Sequence, residues 1–153
     1  MPEIAFIMGK SSSGKDHIFK ALIEDETLGL STITMYTTRP MRAGETDGVE
    51  YYFVDDNKVC EFEKNNKIIE MRKYQTVYGE WKYFTADDGQ IESGSGKRYI
   101  VIGTIEAYNK FVEYFGKECM LPIYIEVEDG LRLQRAIKRE QEQDCLLYTS
   151  DAA

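Results

Sequence analysis

Residues 9–16 read GKSSSGKD, and their types and spacing suit the binding of phosphate. In such a run the backbone N–H groups of Ser11, Ser12, Ser13, Gly14 and Lys15 can line an anion cavity. The first turn of a following helix adds its orphan donors and its dipole. Lys15 brings a point charge to β- and γ-phosphates. Gly9, Ser11, Ser12, Ser13, Gly14 and Lys15 are therefore the candidate binding set for a nucleoside triphosphate. A plain glycine turn capping a helix would have the same composition. The next position departs from the usual pattern, in which a Ser or Thr hydroxyl holds magnesium; here it is Asp16. A carboxylate is also a good hard ligand for Mg2+. It adds negative charge beside phosphates, however, and Lys15 is a rival partner for it. Asp16 is the candidate metal ligand. His17, the only histidine, reads as helix surface.

Strands and helices must carry these groups. The apolar run at 4–8, ending at Gly9, predicts a buried strand. Ile18, Phe19, Leu22 and Ile23 predict a helix over about 14–24. A second strand is expected over 31–35, where β-branched residues concentrate. Residues 36–50 read as turns and 51–54 as a short strand. Asp55 or Asp56 is expected to cap a short helix bearing Val59 and Phe62. Residues 67–86 are aromatic and partly alternating, with Gly79 at a turn. A strand over 99–103 and a helix stopping at Gly116 follow. The next strand lies within 121–127, and a last helix begins near Leu131. The alternation predicts an α/β domain with a mainly parallel sheet, interrupted by an insertion over about 36–86.

The chain has 153 residues, 42% of them apolar, which suits one compact domain with a core. Its net charge of -8 does not favour nucleic acid or an anionic membrane. A local cluster of arginines still leaves room for a small phosphorylated ligand. No apolar run approaches the roughly 18 residues of a membrane span, and the N-terminus lacks the basic region of a signal peptide. Cys60, Cys119 and Cys145 fit no zinc pattern and read as reduced thiols in a cytoplasm.

The segment TTRPMRAGETDGVEYYFV at 37–54 closely resembles the guanylate kinase signature. With the phosphate loop and the Tyr78-Gly79 pair, the resemblance spans about residues 3–140. It implies a P-loop nucleotide kinase with a three-layer core, a mainly parallel sheet and a mixed α/β insertion. Its domains would be a core over 1–35 and 87–144 that includes the start of a lid helix, and a GMP-binding insertion over 36–86. The family transfers a phosphoryl group from ATP to GMP with Mg2+. The stretch over 145–153 is expected to be a non-native or disordered tail behind a chain truncated after the lid, which would leave sheet edge uncovered and activity in doubt.

By the same resemblance Arg39 and Arg42 bind the GMP phosphate with Tyr51 and Tyr78, Glu70 meets the guanine edge, and Arg135 and Arg139 are lid arginines. Lys15, Arg39, Arg135 and Arg139 would carry catalysis. The residues suit those roles. Arg39 and Arg42 can grip a phosphate in bidentate fashion. A carboxylate at Glu70 accepts the paired N1–H and N2–H2 of guanine, which adenine lacks. Arg135 and Arg139 share one helix face; Arg132 and Lys138 read as solvated. Two more departures accompany Asp16. Glu80 stands where the family has Ser after Tyr-Gly, and Gly103 and Thr104 replace an acidic pair. The missing acidic role is expected to have moved to Asp16. The alternatives are a non-catalytic guanylate-kinase-like binding module, whose members lack the phosphate loop, and a kinase for another nucleoside monophosphate.

Overall fold

The computed structural model describes residues 2–142. The tail expected over 145–153 lies outside the described residues, as does Cys145. The first apolar run forms β1, Ile4–Gly9. It sits inside an all-parallel sheet of four strands in the order β2-β7-β1-β8. Here β2 is Leu30–Thr32, β7 is Arg98–Ile102 and β8 is Met120–Ile125. A strand covered on both faces has no polar side to show, so β1 and β7 read as continuous apolar runs.

Alternate residues go to opposite faces. Ile4, Phe6, Met8, Tyr99 and Val101 pack against Ala107 and Phe111 of helix α3, Ile105–Phe115. Phe6 and Phe111 meet edge to face at 5.1 Å, and burying each such ring contributes roughly 1.5–3 kcal/mol. Ile7 and Ile100 are buried on the other face. There helix α1, Lys15–Glu24, brings Phe19 beside Ile100 and Ile102. The sheet lies between helices, as three-layer α/β folds require.

The insertion has its own sheet, in the order β4-β3-β6-β5. Its strands are β3, Tyr36–Thr37; β4, Tyr52–Phe53; β5, Ile68–Thr76; and β6, Gly79–Ala86. β5 and β6 form an antiparallel hairpin around Val77 and Tyr78. Helix α2, Asp56–Lys64, starts where the Asp55 side chain accepts from the Lys58 N–H. Its Val59 and Phe62 close a small core with Tyr36, Phe84 and Ala86.

The strand expected over 31–35 is split. β2 ends at Thr32, and the chain enters the other sheet at Tyr36. Between them the Gln90 amide takes a neighbouring strand's place: Thr34 N–H donates to Gln90 Oε1 at 2.8 Å, and Gln90 Nε2 donates to Thr34 O at 3.0 Å. β-branched residues favour extension, but a single side chain cannot continue a ladder. Other boundaries move by a few residues. Gly79 opens β6 rather than occupying the turn, and the last helix, α4, begins at Asp129. The insertion is anchored by Ile69 of β5, which joins the core cluster with Phe111 and Ile91. No described helix is long and apolar enough to cross a membrane.

Candidate functional site

The phosphate loop follows β1 directly. Ser12 (φ +62°) and Gly14 (φ +90°) are left-handed, and they turn the chain into α1, whose N-cap position, Gly14, offers no side-chain cap. The amides of its first turn are left for an anion. Gly9 is required by close approach, because a Cβ there would lie 2.7 Å from Ser13 Oγ and 2.9 Å from the Ile125 carbonyl oxygen. The Ser12 and Ser13 hydroxyls are buried without a hydrogen-bond partner. Buried polar groups in folded proteins are nearly always paired, so this loop carries capacity that a bound phosphate would use.

Helix α4, Asp129–Glu142, lies against the loop. Arg135 Nη1 donates to the Ser12 carbonyl at 3.3 Å, and Arg132 Nη1 donates to the Ser11 carbonyl at 3.2 Å. Arg132 also pairs with Asp129, which Lys10 approaches to 3.8 Å. Arg132 is therefore not the solvated charge expected. An acid three residues before it, and its place one turn ahead of Arg135, are the signals that point to this role. Arg135 and Arg139 line a cleft of about 570 Å³ with Ser12, Gly14, Lys15 and Asp16. Neither Lys15 nor Asp16 makes a side-chain ion pair among the described residues. No cluster of three potential metal ligands occurs among the described residues. Magnesium in nucleotide sites is usually held by one or two carboxylates, with water and substrate phosphates completing its shell. A lone Asp16 beside the cradle fits that donor set.

The insertion treats its charges differently. Arg39 is 4% exposed, and its fork closes on Glu45 at 2.8 and 2.9 Å. It also donates to the Pro40 carbonyl at 3.0 Å and lies over the rings of Tyr51 and Phe53. Glu45 Oε1 accepts the Arg42 N–H at 2.7 Å as well. The Arg39 guanidinium holds the Glu45 carboxyl down at about 2. The fork expected to grip a phosphate is thus closed on Glu45, a carboxylate within the 37–54 signature. Arg42 is exposed.

Glu70 is 4% exposed; it accepts the Thr85 hydroxyl at 3.0 Å and lies 3.4 Å from Arg72 Nε. Burial pushes its carboxyl above the ordinary value, although Arg72 and Thr85 pull the other way. Thr85, Met35 and Tyr51 line a second cavity of about 410 Å³, with Phe19, Ile100 and Ile102 as apolar walls. Phe19 follows the phosphate loop by one turn of α1, so that helix borders both clefts. Tyr78 stands 82% exposed at the hairpin tip, stacked on Trp81, and the structure brings it to neither cleft. Glu80, on the same tip, accepts from Gln75 Nε2 at 2.8 Å. Thr104 caps α3 by accepting the Ala107 N–H at 3.2 Å. A Cβ on Gly103 would lie 3.0 Å from the Phe6 ring. A side chain at 103 would therefore require the Phe6 ring to give way by a few tenths of an ångström.

A family model described as guanylate kinase matches residues 2–144. The guanylate kinase of Mycoplasma mobile is 30% identical over 122 residues, covering 78% of this chain and 58% of that protein. A rice protein named guanylate kinase 2, chloroplastic/mitochondrial, is 27% identical over 95% of this chain and 50% of its own length. The crystal structure of guanylate kinase from Anaplasma phagocytophilum superposes with a TM-score of 0.62 at 22% identity, covering 91% of this chain and 67% of that one. The chain spans about half the length of the curated relatives it matches.

Proposed function

The chain belongs to the guanylate kinase family, and from that premise we propose that it transfers the γ-phosphoryl group of ATP to GMP, giving ADP and GDP. The observation that carries this reading is the shared cleft of the uncapped phosphate loop, Lys15, Arg135 and Arg139. The loop amides and Lys15 hold the donor phosphates. Arg42 holds the acceptor phosphate, while Arg39 contributes its charge and fixes the loop through Glu45. Glu70 accepts from N1–H and N2–H2 of guanine. The GMP phosphate is an anionic nucleophile, so little base chemistry is needed; catalysis is positioning and charge neutralisation. Arg135 and Arg139 provide the second when they close over the transferring group, and closure keeps water out. Asp16 would hold Mg2+, which would supply positive charge against the donor phosphates.

Titration of the purified chain with GMP, AMP, UMP and ATP, with and without magnesium, tests this. Selective binding of GMP, with ATP binding tightened by magnesium, is expected. Asp16→Asn should weaken the magnesium dependence and leave nucleotide bound. A folded protein that takes up none of these nucleotides would refute the kinase. Gly103 and Thr104 favour one second reading, a kinase for another nucleoside monophosphate, and preference for AMP or UMP would establish it.

A further inference from the structure

We propose that Arg72 determines specificity: with Glu70 it reads the edge of a 6-oxopurine, its guanidinium donating to the O6 carbonyl. The inference rests on the acceptor reading above and deepens it. Glu70 and Arg72 stand two residues apart on β5 and so share a face. Their pairing is poor. Arg72 Nε lies 3.4 Å from Glu70 Oε2, and that buried nitrogen has no hydrogen-bond partner. Arg72 Nη2 reaches only the thioether of Met35, at 3.6 Å, and thioether sulfur is a weak acceptor. The contrast is with Arg39, whose fork meets Glu45 squarely at 2.8 and 2.9 Å. A guanidinium placed only to neutralise Glu70 would do the same. Arg72 instead keeps donors unspent although its side chain is only 20% exposed.

Glu70 and Arg72 each touch a residue that lines the 410 Å³ cavity. Thr85, which holds Glu70, and Met35, which touches Arg72, both line it, and its apolar walls suit a flat ring. The pair offers an acceptor beside a donor. Guanine offers N1–H and N2–H2 beside the O6 acceptor, the complementary order. Adenine presents an amino group at position 6 and would set donor against donor, a clash that discriminates as strongly as a good contact. Recognition through Arg72 also needs no carboxylate at Gly103 or Thr104.

Calorimetric titration of the full chain and of Arg72→Ala with GMP and 6-thio-GMP tests the assignment, because sulfur at position 6 is the weaker acceptor. Wild type should prefer GMP by about tenfold. Arg72→Ala should weaken GMP binding by roughly 10- to 100-fold, the range for a bond from a charged donor. It should affect 6-thio-GMP far less, so that the preference collapses. Equal weakening of both ligands would mean that Arg72 acts only through packing or charge, and would overturn the inference while leaving the acceptor reading intact. Should circular dichroism show Arg72→Ala unfolded, Arg72→Gln serves, as it keeps an amide donor. It should retain part of the preference, and a preference unchanged from wild type would count against Arg72. A folded wild-type chain that ignores GMP would remove the acceptor reading and this inference together.

Discussion

Around the phosphate loop, Lys15, Arg135 and Arg139 line an open cleft, and the amides of the first turn of α1 have no side-chain cap. Beyond the connecting residues 33–35, the insertion buries Arg39 and Glu70 and supplies each with partners from its own segment. The loop holds back its hydrogen-bonding capacity, whereas Arg39 in the insertion commits its fork to Glu45. Loop and helix geometry alone create the first site, because orphan backbone donors need no side chain to aim them. The second needs side chains fixed before any ligand arrives, and buried ion pairs can do that at some cost in desolvation. Substitutions in the insertion should therefore register in stability, and substitutions at the loop in binding.

The largest effect tests that division. Arg39→Ala strands Glu45 in a site where that side chain is 17% exposed. Losing one member of a fully buried pair costs about 3–5 kcal/mol; with Glu45 half-buried the loss should stay below that range and still lower the urea midpoint clearly. Lys15→Ala, at a position with no ion pair to lose, should stay within about 0.5 kcal/mol of wild type and yet lose ATP affinity. Equal stability losses in the two variants would erase the distinction.

Acid sharpens the same comparison. Glu45 titrates at about 2 in the fold, against 4.5 ordinarily. A depressed carboxyl stabilises the fold fully above its unfolded value, and that contribution is lost as pH falls through the folded one. Wild-type urea midpoints should therefore decline between pH 4.5 and about 2, and Glu45→Gln should flatten the decline. Glu70 has the opposite sign: its raised carboxyl favours folding at low pH and loses that as pH rises. A Glu45→Gln slope equal to wild type would mean that the fork carries no pH-dependent stability.

Gly9→Ala should sit between the two classes. Its new Cβ meets Ser13 Oγ and the Ile125 carbonyl within 3 Å. The carbonyl belongs to β8 and cannot swing aside, so overpacking of about 1–3 kcal/mol is expected. The loop must shift to relieve it, and ATP affinity should fall along with the thermal midpoint. Normal ATP affinity in a destabilised Gly9→Ala would show that the loop tolerates displacement.

The glycine-rich loop and the mainly parallel α/β core were legible in the sequence, because both arise from local patterns: glycines before a lysine, and apolar runs without alternation. The insertion was legible as a signature but not as a set of partners. Glu45 appeared there only as a letter of the motif, since nothing in linear spacing says which carboxylate will close Arg39's fork across six residues. Arg132 reads as solvated because a charged helix face normally points to water, whereas here α4, which follows β8, lies against the loop. The break at Thr32 was hidden because Gln90, which stands in for a strand, lies 56 residues away from Thr34.

Thr104 gives the smallest effect and bears most directly on the missing acids. Its hydroxyl accepts the Ala107 N–H and starts α3, the helix that packs Phe111 under the central sheet. Loss of such a cap costs about 1 kcal/mol, so Thr104→Ala should lower the urea midpoint slightly. Thr104→Asp keeps a capping oxygen and adds a negative charge near the helix N-terminus, where the dipole favours it. That variant should match or exceed wild type in stability. If Arg72 and Glu70 already read the base, the restored carboxylate should change GMP affinity by less than about threefold, well under one charged hydrogen bond. A tenfold gain would instead mean that base recognition in this chain still lacks the acid that Thr104 replaced.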